Sequence, residues 1–224
     1  MPPTAHHATQ PLIITVRHGQ IAADLRVPER ALGLVLFAHG SGSSRFSSRN
    51  RAVAEFLEHR RFATLLVDLL TRDEEREDAR TAQHRFDIDL LAERVISATD
   101  WIALSNELGA LPLGCFGAST GAAAALIAAA ERPSTVRAVV SRGGRPDLAG
   151  DSLTRVQSPT RLIVGGDDDP VIELNQQAME RMRAPVDLTI VPGASHLFEE
   201  PGTLEQVMEL ATDWFGRYLG GRDG

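Results

Sequence analysis

The sequence predicts an α/β fold, with a mostly parallel central sheet covered by helices on both faces. Three observations point there. Short, unbroken apolar runs alternate with segments of helical periodicity, the order expected of strands joined by crossover helices. Several of those runs lack polar alternation, as strands buried on both faces do. Small-residue loops follow the runs, at the sheet edge where ligands gather in open parallel sheets. The chain has 224 residues, 43% of them hydrophobic and 24% charged, which suits one domain with a sizeable core.

Taken in order, residues 1–10 read as a flexible arm and residues 11–224 as a single domain. Residues 11–16 and 21–27 are β-rich and flank Arg17-His18-Gly19-Gln20, a hairpin signal. Residues 32–38 form a buried strand ending in the loop His39-Gly40-Ser41-Gly42-Ser43-Ser44-Arg45. Ser47 or Ser48 caps the next helix, where Val53, Phe56 and Leu57 recur at helical spacing. Residues 62–69 are another strand, and the densely charged stretch 71–85 reads as a solvated loop or helix. A helix over 87–106 leads to a strand over 111–116, and an alanine-rich helix follows. Strands at 136–141, 160–164 and 186–191 alternate with helices at 148–155, 172–182 and 203–218. No internal repeat or linker marks a second domain.

Charge and composition exclude several classes of function. A net charge of −7 argues against a nucleic-acid partner. The longest apolar run, 122–130, is about half a membrane span, so no membrane association is expected. The start lacks the basic and apolar regions of a signal peptide, and Cys115 is the single cysteine, so a reducing cytoplasm is the expected location. The chain has no lysine, which excludes lysine Schiff-base chemistry and the lysine of a phosphate-binding loop.

The chemistry centres on Gly117-Ala118-Ser119-Thr120-Gly121, a G-x-S-x-G pattern between a strand and a helix. A serine on so sharp a turn takes a strained backbone conformation, and flanking glycines admit close neighbours. A serine hydroxyl needs a base to take its proton, and His196 follows the last strand directly. His39 ends a strand but precedes the glycine loop, which it more plausibly braces. Asp167, Asp168 and Asp169 compete for the acid that orients the imidazole; the turn after Gly165 selects Asp168. Adjacent aspartate side chains diverge and have no accompanying ligand cluster, so no metal is expected. The amides of Thr120 and Ser41 are the candidate donors to an oxyanion. Arg45 and Arg142 lie at the same edge and are candidate contacts to a substrate carboxylate or phosphate. Equally, Arg142 and Arg145 could pair with Asp147 and other loop acids.

Together, the Ser119 pentapeptide, His39-Gly40-Ser41-Gly42, the 165–168 turn and Ser195-His196 resemble the α/β-hydrolase superfamily. The loops are most similar to its dienelactone-hydrolase-like branch, over about residues 21–218. The resemblance implies a lid-poor hydrolase of esters or lactones working through an acyl-enzyme, without a cofactor. Ser119 stands where dienelactone hydrolase proper has a cysteine, and Cys115 lies short of the elbow, within the strand. A small-molecule ester or acyl compound is the expected partner, and the chain is expected to be a monomer or homodimer. Thioesterase or peptidase chemistry, and a non-catalytic module on the same scaffold, are the alternatives.

Overall fold

The computed structural model describes residues 8–220, so most of the stretch read as an amino-terminal arm lies outside the described residues. Gln10, assigned to that arm, already pairs with Leu25. Strands β1 (Gln10–Val16) and β2 (Gly19–Arg26) form the antiparallel hairpin, with a turn two residues shorter than expected because Gly19 and Gln20 join the ladder. The other strands are β3 (Gly33–Ala38), β4 (Phe62–Val67), β5 (Leu113–Ala118), β6 (Val136–Arg142), β7 (Thr160–Gly165) and β8 (Val186–Val191). They run parallel to one another in a sheet ordered β1-β2-β4-β3-β5-β6-β7-β8.

The uniform apolarity of the central strands follows from burial on two sides. Along β3, Leu34, Leu36 and Ala38 enter one core while Val35 and Phe37 enter the other. Successive strand side chains point to opposite faces, so a strand covered twice has no polar position left. One core is closed by α3 (Ile88–Leu104), α4 (Thr120–Glu131), α5 (Asp169–Arg181) and a 3-10 segment, Pro146–Arg155. The other is closed by α1 (Ser48–Glu58) and α6 (Thr203–Leu219). Helix α4 is buried nearly all round, which its run of alanines permits because small side chains let several neighbours approach at once.

Strand order creates the crevice. From β3 the chain goes through α1 to β4 on one side, whereas from β5 it goes through α4 to β6 on the other. The crossovers after β3 and β5 therefore leave to opposite sides of the sheet, with a crevice beyond the carboxyl ends of these adjacent strands. Only the 3-10 segment stands between β6 and β7, so nothing of cap-domain size covers this edge.

The charged stretch is largely exposed, as a solvated helix would be, with Asp78 as the exception. It forms α2 (Arg72–Thr81), started by a capping box between Thr71 and Glu74. Asp78 is buried, accepting the amides of His84 and Arg85 at 2.8 and 2.9 Å and the Arg85 Nε–H at 2.7 Å. Its carboxylate terminates the helix by folding the next turn back over it. Among the described residues no helix is long and apolar enough to cross a membrane.

Candidate active site

Ser119 sits between β5 and α4 at φ +51° and ψ −124°, outside the conformations that side-chain-bearing residues prefer. Surrounding contacts impose this geometry. The Ser119 amide donates to the Arg142 carbonyl at 3.3 Å, and its carbonyl accepts from Ala122 and Arg145 at 3.1 Å each. The flanking glycines are demanded sterically. A Cβ on Gly117 would lie 2.4 Å from Ala122 Cα, and one on Gly121 would lie 2.4 Å from the Ala38 and His39 carbonyl oxygens. Gly40 is as restricted, since a Cβ there would stand 2.9 Å from that of Ser119. The β3 loop thus lies directly against the serine.

Helix α4 begins at Thr120, whose amide is among the first-turn donors without an intrahelical acceptor. Ser41 follows Gly40 and lines the same cavity, of about 250 Å³, as Ser119, Arg142 and His196. An anion formed at Ser119 would meet the positive end of the α4 dipole there.

His196 Nδ1 lies 2.6 Å from Asp168 Oδ2, and this pairing leaves Nε2 to the cavity that the ring lines. Asp167 and Asp169 are exposed, so only the middle aspartate of the three faces inward. The acid and base loops are stitched together by backbone. Gly166 donates to Val191 at 2.8 Å and Asp167 to Ala194 at 3.0 Å. Gly165 permits the crossing, since a Cβ there would lie 2.3 Å from the Ala194 carbonyl. Glu200, which sequence reasoning passed over, accepts the Ser195 amide at 3.0 Å. Bonds from the Ser195 hydroxyl and amide hold its carboxyl below the usual range. Nothing in its spacing marks that role.

His39 braces the loop. Its Nδ1 lies 2.8 Å from the Gly40 carbonyl, and Leu69 N–H donates to its Nε2 at 3.0 Å. A ring that donates through one nitrogen and accepts through the other is neutral, and burial pushes its pKa below 6.5.

The arginines divide differently from the expectation. Arg45 is a brace: its guanidinium pairs with Asp68 and, at 3.4 Å, with Asp24, and stacks on Phe46 at 4.0 Å. Its amide also donates to Asp68 at 2.8 Å. Arg145 pairs bidentately with Asp147 at 2.8 and 2.7 Å. Arg142 lines the cavity, and the second arginine there is Arg49, the second residue of α1, not Arg45. Cys115 is buried, and burial pushes its thiol up to about 12, which removes it as a nucleophile. Among the described residues no group of three or more His, Cys, Asp and Glu side chains is placed to hold a metal ion.

Comparison with known proteins agrees with this architecture. A dienelactone hydrolase from Anabaena variabilis superimposes with a TM-score of 0.93 at 54% identity, covering 95% of this chain and 98% of that one. XC6422 from Xanthomonas campestris, described as an a/b serine hydrolase without lid, shares the fold at 18% identity and a TM-score of 0.74, covering 93% and 94%. The curated relative "Putative phosphoribosyl transferase Rv0571c" of Mycobacterium tuberculosis (strain ATCC 25618 / H37Rv) is 61% identical over 201 residues. That match covers 90% of this chain but 44% of the relative, so the chain spans less than half of that protein. The model of the dienelactone hydrolase family matches residues 21–219, and the chain belongs to that family.

Proposed function

We propose that the chain is a serine hydrolase cleaving a carboxylic ester or lactone through an acyl-enzyme. The observation that carries this reading is the 2.6 Å contact between Asp168 and His196, the latter lining one cavity with the strained Ser119. Family membership supports hydrolysis, and the residues supply the steps.

Ser119 Oγ attacks the acyl carbon while His196 Nε2 takes its proton. Asp168 fixes the tautomer that leaves Nε2 basic, and its charge stabilises the imidazolium as it forms. The carbonyl oxygen becomes an anion received by the amides of Thr120 and Ser41. Collapse expels the alcohol, or the alkoxide end of an opened lactone, which takes the proton from His196. Water enters, gives its proton to His196 and attacks the acyl-enzyme, returning Ser119 and releasing the acid. Each turn consumes one ester bond and one water.

Labelling with a fluorophosphonate probe tests the reading. Wild type should label and Ser119→Ala should not; an unlabelled wild type, or equal labelling of both, would overturn it. The test is independent of the acyl group, so it separates the chemistry from substrate choice.

A further inference from the structure

Helix α2 stands apart from the other helices. It contributes no side chain to either hydrophobic core, and Asp78 is its only buried residue. Polar links fasten it instead: the capping box at Thr71, the pairing of Glu74 with the buried Arg94 at 2.7 Å, and the Asp78 carboxylate under Arg85. Glu75, Asp78 and Ala79 share one face of the helix, being three and four residues apart. All three line a cavity of about 190 Å³, whose remaining wall comes from Leu69, Leu70, Leu91, Arg85 and the 39–43 loop. A large side chain at position 79 would occupy this space, and alanine leaves it open.

This cavity adjoins the candidate active site. Gly40, Ser41 and Ser43 border both it and the cavity that Ser119 and His196 line. At Gly40 the partition is thin, since a Cβ there would stand 2.9 Å from that of Ser119. The buried polar groups of the wall are already spent. Both His39 nitrogens are engaged, and Asp78 accepts from two amides and from Arg85 Nε–H. Two carboxylates, Glu75 and Asp78, stand against one guanidinium, Arg85, a balance that disfavours an anionic occupant. What the wall offers a ligand is the apolar surface of Leu69, Leu70, Ala79 and Leu91.

We infer that the cavity under α2 takes the neutral, apolar end of the substrate's acyl group, reached past the Ser41 amide. A cavity of about 150 Å³ accepts benzene, so this one suits a phenyl ring or a chain of about six carbons. The acyl side is indicated because His196 must give its proton to the departing alcohol, and His196 borders the Ser119 cavity and not this one. The inference rests on the hydrolase reading and narrows its substrate to esters of neutral medium-chain or aryl acids.

A series of p-nitrophenyl esters, from acetate through butanoate and hexanoate to decanoate, tests it. Wild-type kcat/KM should rise about three- to fourfold per methylene as far as hexanoate, the worth of burying one such group, and gain nothing more at decanoate. Ala79→Phe fills the cavity and should lower the hexanoate-to-acetate ratio by about tenfold or more. Leu70→Ala widens it and should move the optimum toward decanoate. Opposite shifts from the two substitutions separate a ligand wall from a general loss of stability. If a thermal melt shows Ala79→Phe unfolded, the Leu70→Ala shift decides alone. A flat series in wild type, or an optimum that neither substitution moves, would overturn the cavity's role. If Ser119 resists the fluorophosphonate, the hydrolase reading fails by itself. Calorimetric titration with hexanol then decides the cavity: binding to wild type that is lost in Ala79→Phe supports it, and no binding, or equal binding to both, refutes it.

Discussion

His39 and His196 lie at the same edge of one sheet, and their partners make them opposites. His39 is buried, with both ring nitrogens committed to backbone groups. His196 is partly exposed, with a carboxylate on one nitrogen and the cavity beside the other. Backbone partners on both nitrogens hold a neutral ring in place and leave it nothing to exchange. A carboxylate on one nitrogen fixes the tautomer in which the other carries a free lone pair. Position in the fold thus does not separate a brace from the base proposed for the reaction; the chemistry of the second partner does.

The largest break in this contrast would come from Asp168→Asn. It should lower kcat by about 10⁴-fold by presenting the wrong tautomer, measured with any p-nitrophenyl ester that wild type cleaves. Asp167→Asn, at the exposed neighbour, should leave the same assay nearly unchanged; a reversal of the two would move the acid by one position. His39→Ala should act on stability instead, by about 1–3 kcal/mol in a denaturant melt, because the buried Leu69 amide loses its acceptor. Gly143→Ala tests the packing around His196. Gly143 has φ +50°, and a Cβ there would lie 2.9 Å from the His196 carbonyl. That variant should lose about 1–2 kcal/mol of stability from the left-handed backbone, together with part of its turnover.

The smallest effect is a slope. His39 has a folded pKa below its ordinary 6.5, so between those values the unfolded chain binds the extra proton. Stability should therefore be full above about pH 6.5 and decline on acidification, by at most about 1.4 kcal/mol per pH unit, until the folded pKa is passed. His39→Gln should remove that contribution from a series of melts between pH 7 and 5.

The central strands, the elbow and the loop bearing His39 were legible because each follows from a local rule: unbroken apolarity, small residues at a turn, a glycine where a chain must approach. Asp168 was separable from its neighbours by its place in a tight turn, where adjacent side chains diverge. Arg49 was not legible. Whether it or Arg45 reaches the cavity depends on the phase of α1 against the sheet, which tertiary packing sets. Asp78 was hidden for a related reason. Amid so many acids it has no local mark, and its burial depends on the amides of His84 and Arg85 arriving later in the chain. Arg94 and Glu200 likewise owe their roles to partners brought up by the fold.

The backbone of residue 119 carries a further consequence. Glycine enters the region around φ +51° freely, whereas serine is held there at about 1–3 kcal/mol. A chain released from the need for its hydroxyl would gain by exchanging it for hydrogen, becoming sturdier and inert in one step. Under the proposed hydrolase function, evolutionary drift and catalysis pull in opposite directions at this turn, so a glycine at this position in a relative would read as an enzyme retired in favour of its scaffold.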